Sequence, residues 1–168
     1  MNENQCRISV FEEKDFLEAS KMIIDLKKEV SERSFLFYPE QYDNDAFFNY
    51  YRAINMRTNH FHEVELYMNV IDINTSEKVG VLGIYICPNN YVVYITTVIL
   101  TDSTYLGEAV NHLNELLKSQ SVKRLKVKFT NRKVENVAKW IDNGFEKETI
   151  IVEEGTDGSD FLIYSRKL

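Results

Sequence analysis

The chain is short of the residues that interrupt secondary structure. Two prolines and six glycines among 168 residues leave little room for linker or low-complexity sequence. Cys6 and Cys87 are the only cysteines, too few for a disulfide framework. No stretch approaches the roughly 18 apolar residues that a membrane span needs. The first ten residues carry Glu3, Gln5 and Arg7 and no apolar run of the secretory kind. A soluble, cytoplasmic protein with no membrane partner is therefore expected. Positive charge is also in deficit: 20 Lys and Arg stand against 26 Asp and Glu, a net charge of −6. That excludes a general nucleic-acid binder, which needs a basic face to release counterions. Histidine is scarce too, and His60 and His62 have no third ligand at a metal-site spacing, so no metal is expected. His112 falls on a helix as a surface residue.

What is present suits one globular domain over residues 1–168, with 44% hydrophobic and 12% aromatic residues. A domain of this length buries roughly 70% of the surface its unfolded chain exposes and needs no covalent staple. Residues 6–10 alternate as a half-buried strand. Asp15 as N-cap with Glu18 three residues on forms a capping box before a helix over about 15–33. An aromatic stretch, Phe35 to Tyr38, ends at Pro39, and a second helix is predicted over about 43–56. The aromatics of 35–51 suit either core packing or the wall of an acceptor pocket.

Strands are predicted at 63–73, 78–87 and 91–100, joined by short turns into an antiparallel meander. A helix follows at about 105–119, then a strand at 124–130. A helix at 132–143 stops at Gly144, and two strands, 146–153 and 160–167, flank a Gly-Thr-Asp-Gly turn. The order is β-α-α-β-β-β-α-β-α-β-β: an α/β (α+β) chain of about seven strands and four helices, with a mixed, mostly antiparallel twisted sheet. The cations Lys123, Arg124, Lys126 and Lys128 fit either a solubilising strand face or a patch beside bound phosphates.

Two segments carry the chemistry. Residues 101–109, Thr-Asp-Ser-Thr-Tyr-Leu-Gly-Glu-Ala, lead from the long strand into a helix, and a helix N-terminus with small residues nearby can cradle phosphate. Residues 131–145 run from a strand end through a helix containing Trp140 to a Gly144-Phe145 stop. Each alone is also an ordinary helix boundary.

In this order the two segments resemble the GNAT superfamily of N-acetyltransferases. The resemblance spans nearly the whole chain in element order. It places the pyrophosphate of coenzyme A at Thr104, Tyr105, Leu106, Gly107, Glu108 and Ala109, with Gly107 and Ala109 matching and Thr104 where Arg or Gln is usual. It lays the pantetheine arm between splayed strands, against the backbone of Val98, Ile99 and Leu100. Asn131 and Trp140 stand for the polar and aromatic residues of the second motif, Trp140 where Tyr is usual.

The function this implies is acetyl transfer from acetyl-coenzyme A, as co-substrate, to a primary amine of a small-molecule or peptide acceptor. A homodimer is compatible with such a fold. Thr104 forgoes a charge-assisted contact of roughly 1.5–3 kcal/mol, and Glu108 adds negative charge beside the phosphates. Trp140 cannot protonate a leaving thiolate, leaving water, Tyr105 or Tyr164 to do so. Glu63 and Glu65 are either the base that frees the amine or solvated strand carboxylates, so no catalytic residue is assigned. These departures keep a second reading open: a GNAT-like binding or regulatory module without catalysis.

Overall fold

The structure, a computed structural model, describes residues 5–12, 14–28, 33–37, 64–87, 91–130, 136–152 and 158–168. Its elements are β1 (Cys6–Val10), α1 (Asp15–Lys28), β2 (Phe35–Phe37), β3 (Val64–Asp72), β4 (Lys78–Cys87) and β5 (Val92–Leu100). A 3-10 turn (Ser103–Tyr105) then leads into α2 (Leu106–Lys118), β6 (Arg124–Thr130), α3 (Val137–Asp142), β7 (Glu146–Ile151) and β8 (Phe161–Lys167). The helix predicted at 43–56, the histidines His60 and His62, Glu63 and Asn131 lie outside the described residues.

One mixed sheet of eight strands runs β1-β3-β4-β5-β6-β8-β7, with β2 added to β5. The expected meander is present: β3 pairs antiparallel with β4, and β4 with β5. β5 and β6 are parallel, and every other pairing is antiparallel. Strand alternation sends neighbouring residues to opposite faces. Val81 and Ile99 pack with Ala19, Met22 and Leu26 of α1, whereas Leu82, Val98 and Leu100 pack in a larger core with α2 and Trp140 of α3. The amphipathic face of α2 (Leu106, Ala109, Val110, Leu113 and Leu117) is buried there. No helix among the described residues is long and apolar enough to cross a membrane.

The start of α1 differs from the expected capping box. Asp15 reaches back, its carboxylate accepting the Glu12 N–H at 2.8 Å while its own N–H donates to the Glu12 carbonyl at 2.9 Å. It thus serves as the reciprocal residue of a box that opens three residues earlier. The other contacts on the carboxylate explain why Asp15 is buried: Asn69 Nδ2 donates at 2.9 Å and Lys78 Nζ at 3.0 Å. Glu18 also binds Lys78, at 2.6 Å.

Burial pushes the Asp15 carboxyl upward, but the bonds from Glu12, Asn69 and Lys78 outweigh it and hold the group at about 2, against 3.8 for a free side chain. Because the folded value is the lower one, the stabilisation is complete above the unfolded value and disappears as pH falls toward 2. A difference of this size corresponds to roughly 2 kcal/mol. Denaturant unfolding between pH 5 and pH 2 should therefore cost the wild type about that much more stability than Asp15→Asn. Equal losses would mean that the cluster contributes nothing.

Candidate functional site

The site the sequence points to lies where β5 and β6 part. Their parallel register runs from Val92 opposite Arg124 to Ile95 opposite Val127 and stops. Beyond it, β6 continues against β8 alone, while Val98, Ile99 and Leu100 lie beside β2. At the parting point β5 carries an extra residue: Ile95 and Thr97 face the adjacent Ile84 and Gly83 of β4, leaving Thr96 as a bulge.

The resulting wedge is filled from within the chain. Phe37 meets Trp140 edge-on at 5.2 Å and Phe129 edge-on at 6.2 Å, and Phe129 stacks on Tyr164 at 5.6 Å. Phe35 and Phe145 complete the set around Trp140, at 5.7 and 5.1 Å. Trp140 is 0% exposed, and its indole Nε1 has no hydrogen-bond partner among the described residues. The short strand that brings the phenylalanines is fixed on both edges. Phe35, Leu36 and Phe37 pair with Leu100, Ile99 and Val98, and the Leu36 carbonyl accepts from Asn136 Nδ2 at 3.2 Å.

The phosphate cradle is expected at the entry to a helix starting at about residue 105. Leu106 already begins α2, so Gly107 and Ala109 lie inside the helix. Ala109 is buried in the core, and a Cβ on Gly107 would come within 2.9 Å of Asn143 Oδ1 at the end of α3. The glycine thus permits two helices to approach. At the helix start, four successive N–H groups, from Ser103 to Leu106, are engaged. Ser103 donates to the Arg33 carbonyl at 2.6 Å and Tyr105 to the Asp102 carbonyl at 3.3 Å. Thr104 N–H donates to the Asp102 carboxylate at 2.9 Å, and Leu106 N–H to the Ser103 carbonyl. Asp102 also accepts the Thr104 hydroxyl at 2.7 Å. Its carboxylate is the natural partner of a helix start, and Asp102→Ala should lower stability by about 1 kcal/mol, read from thermal melts.

Coenzyme A, which the resemblance implies, does not fit this arrangement with β2 in place. The backbone edge expected to meet the pantetheine arm already pairs with β2, and the N–H groups of Thr104, Tyr105 and Leu106, three of those expected to meet phosphate, are used. Asp102 and Glu108 would add repulsion. One feature does suit an incoming ligand: the orphaned Trp140 N–H on the wedge wall.

The remaining candidates resolve as follows. Tyr105 is buried and donates its hydroxyl to Asp72 at 2.5 Å. Burial first, then the Asp72 bond and charge, push its phenol up to about 12, which removes it as a ready acid. Cys6, buried beneath the same turn, is pushed to about 12 by burial and by the charges of Glu108 and Asp72; it remains a thiol, with no nucleophilic thiolate. Tyr164 is buried in the aromatic stack. Glu65 lies on β3 opposite Tyr85. His112 is on the surface of α2, 3.8 Å from Glu108.

The basic strand has local partners throughout. Lys126 pairs with Glu148 at 2.7 Å, and Arg124 donates to Ser165 at 3.3 Å. Lys123 and Lys128 sit over the rings of Tyr91 and Phe161. Among the described residues no group of three or more His, Cys, Asp or Glu could hold a metal ion. Residues that sequence reasoning missed are Arg33, Asp102 and Asn136; it singled out the aromatic stretch from Phe35 but not the strand that Phe35–Phe37 forms.

No family model matches the chain, and no curated protein matches it in sequence. Solved structures do match. One is the acetyltransferase from Salmonella typhimurium that modifies the N-terminal serine of ribosomal protein L7/L12: TM-score 0.74, 14% identity, 98% of this chain and 95% of that one. Another is the L7/L12 α-N-protein acetyltransferase RimL in complex with coenzyme A: TM-score 0.72, 13% identity, 98% and 94% covered. A third is a mutant of the spermidine N-acetyltransferase SpeG from Vibrio cholerae: TM-score 0.66, 16% identity, 97% and 94% covered. With the parallel β5–β6 pair, its parting and the bulge at Thr96, the fold is that of the GNAT acetyltransferases.

Proposed function

We propose that the chain is an N-acyltransferase that transfers an acetyl group from acetyl-coenzyme A to a primary amine of a small molecule or peptide. The observation that carries this reading is the parting of the parallel strands β5 and β6 after Ile95 and Val127, in a fold shared along its length with acetyltransferases. Those structural neighbours act on a protein N-terminus or on spermidine, so an amine acceptor suits the fold. The acid and base of such a reaction are not assigned to Tyr105 or Trp140, since the first is held by Asp72 and the second has no acidic proton near neutral pH.

The helix start favours a second reading, a GNAT-fold binding or regulatory module without catalysis. It rests on the four engaged N–H groups and on the carboxylates of Asp102 and Glu108. Isothermal titration with acetyl-coenzyme A and with desulfo-coenzyme A separates the two. Saturable micromolar binding, followed by acetylation of members of an amine library, supports the enzyme. No binding at millimolar coenzyme moves the chain to the second reading.

A further inference from the structure

We propose that residues 33–37 are a built-in stand-in for the coenzyme: the segment occupies the coenzyme's place, and the two exclude each other. This rests on the acyltransferase reading above. The match runs along the whole segment. At one end the Arg33 carbonyl takes the Ser103 N–H at the helix start, where a phosphate oxygen would be received. In the middle, Phe35–Phe37 adds a strand to the edge of β5 at Val98–Leu100, the backbone that an amide-bearing arm would use by the same hydrogen bonding. Asn136 donates to the Leu36 carbonyl from the opposite edge, as it could to an amide carbonyl of such an arm.

The segment also leaves a mark of imperfect fit. Its Phe35 and Phe37 rings pack edge-on against the fully buried Trp140, yet the segment offers the Nε1–H no acceptor. A buried donor is ordinarily satisfied, so phenylalanine rings are a poorer partner for this wall than a ligand carrying amide oxygens. Residues 33–37 must therefore leave β5 before a coenzyme arm can lie there. Apparent affinity then falls by the fraction of molecules in which the edge is open.

Two measurements test this on the full chain. The first is amide hydrogen exchange of the wild type with and without saturating desulfo-coenzyme A. Residues 35–37 should lose protection on binding, while the amides of β3 and β4 keep theirs. The second uses Leu36→Cys with Ile99→Cys, which face each other across the two strands, in a Cys87→Ser background. The oxidised, cross-linked form should bind desulfo-coenzyme A at least ~10-fold more weakly than the same protein after reduction.

Binding with 35–37 still protected, or equal affinity of the oxidised and reduced forms, would overturn the stand-in and leave the acyltransferase reading intact. The absence of binding by wild type and reduced variant alike, with β3 and β4 amides protected in both, would overturn both.

Discussion

Trp140→Ala should cost about 3–5 kcal/mol of unfolding free energy, the range for truncating a fully buried aromatic. The side chain is 0% exposed and meets three other rings edge-on. Removing it opens a cavity between α3 and β2 whose walls are other aromatics, and β2 has only three residues through which to adjust. Trp140→Phe should behave quite differently. It keeps a ring in the wedge and removes an indole N–H that has no acceptor among the described residues. An unsatisfied buried donor costs about 1–3 kcal/mol, so its loss offsets much of the lost volume, and a net change below about 1.5 kcal/mol is expected. Urea unfolding of the two variants decides the matter. A cost below 1 kcal/mol for alanine would mean that the wedge is loosely packed.

Gly80→Ala is the second large effect, and it acts through overcrowding. Gly80 sits on β4 opposite Leu100 of β5, and an added Cβ would collide with the Ile99 carbonyl and with Leu100 Cδ2. The carbonyl belongs to the central ladder, so it cannot turn aside as a side-chain tip can. A loss of about 3 kcal/mol or more is expected, at the upper end of overpacking costs. Gly83→Ala provides the internal comparison. Its Cβ would lie 2.8 Å from Tyr67 Cε1 and 3.0 Å from Thr97 Cβ, both side-chain atoms, and the Tyr67 ring can shift. Thermal or urea unfolding should rank Gly80→Ala as clearly the more damaging. The reverse order would show that β5 yields more readily than Tyr67.

Much of the fold was legible because hydrophobic period and chain order agree. The strand predicted at 124–130 is β6 to the residue, and Gly144 has the left-handed φ of +79° that a helix stop requires. The third helix is described as α3 from Val137, with residues 131–135 lying outside. β2 was not legible: three residues cannot display a period, and their partner comes from the far side of the meander.

The start of the second described helix was legible to within a residue, but its capping was not. Gly107 falls within the helix expected from about 105, and Leu106 begins the apolar stripe that continues through Val110, Leu113 and Leu117. The helix therefore starts before the glycine and carries it inside. Asp102 was passed over as part of a turn, although an Asp immediately before the first turn is a strong capping signal.

The sheet also carries a history of its own assembly. β3, β4 and β5 follow one another through short turns, so their contacts close small loops, whereas β1 and β2 reach their partners only after long stretches of chain have been enclosed. Contacts of the second kind form late, because loop closure is opposed by entropy before any contact rewards it. The meander is thus the natural nucleus and β2 a latecomer. In stopped-flow experiments Gly80→Ala should chiefly slow refolding, and Phe37→Ala should chiefly hasten unfolding. A strand that docks last can come away while the nucleus stands, so the wedge is able to open without the molecule first coming apart.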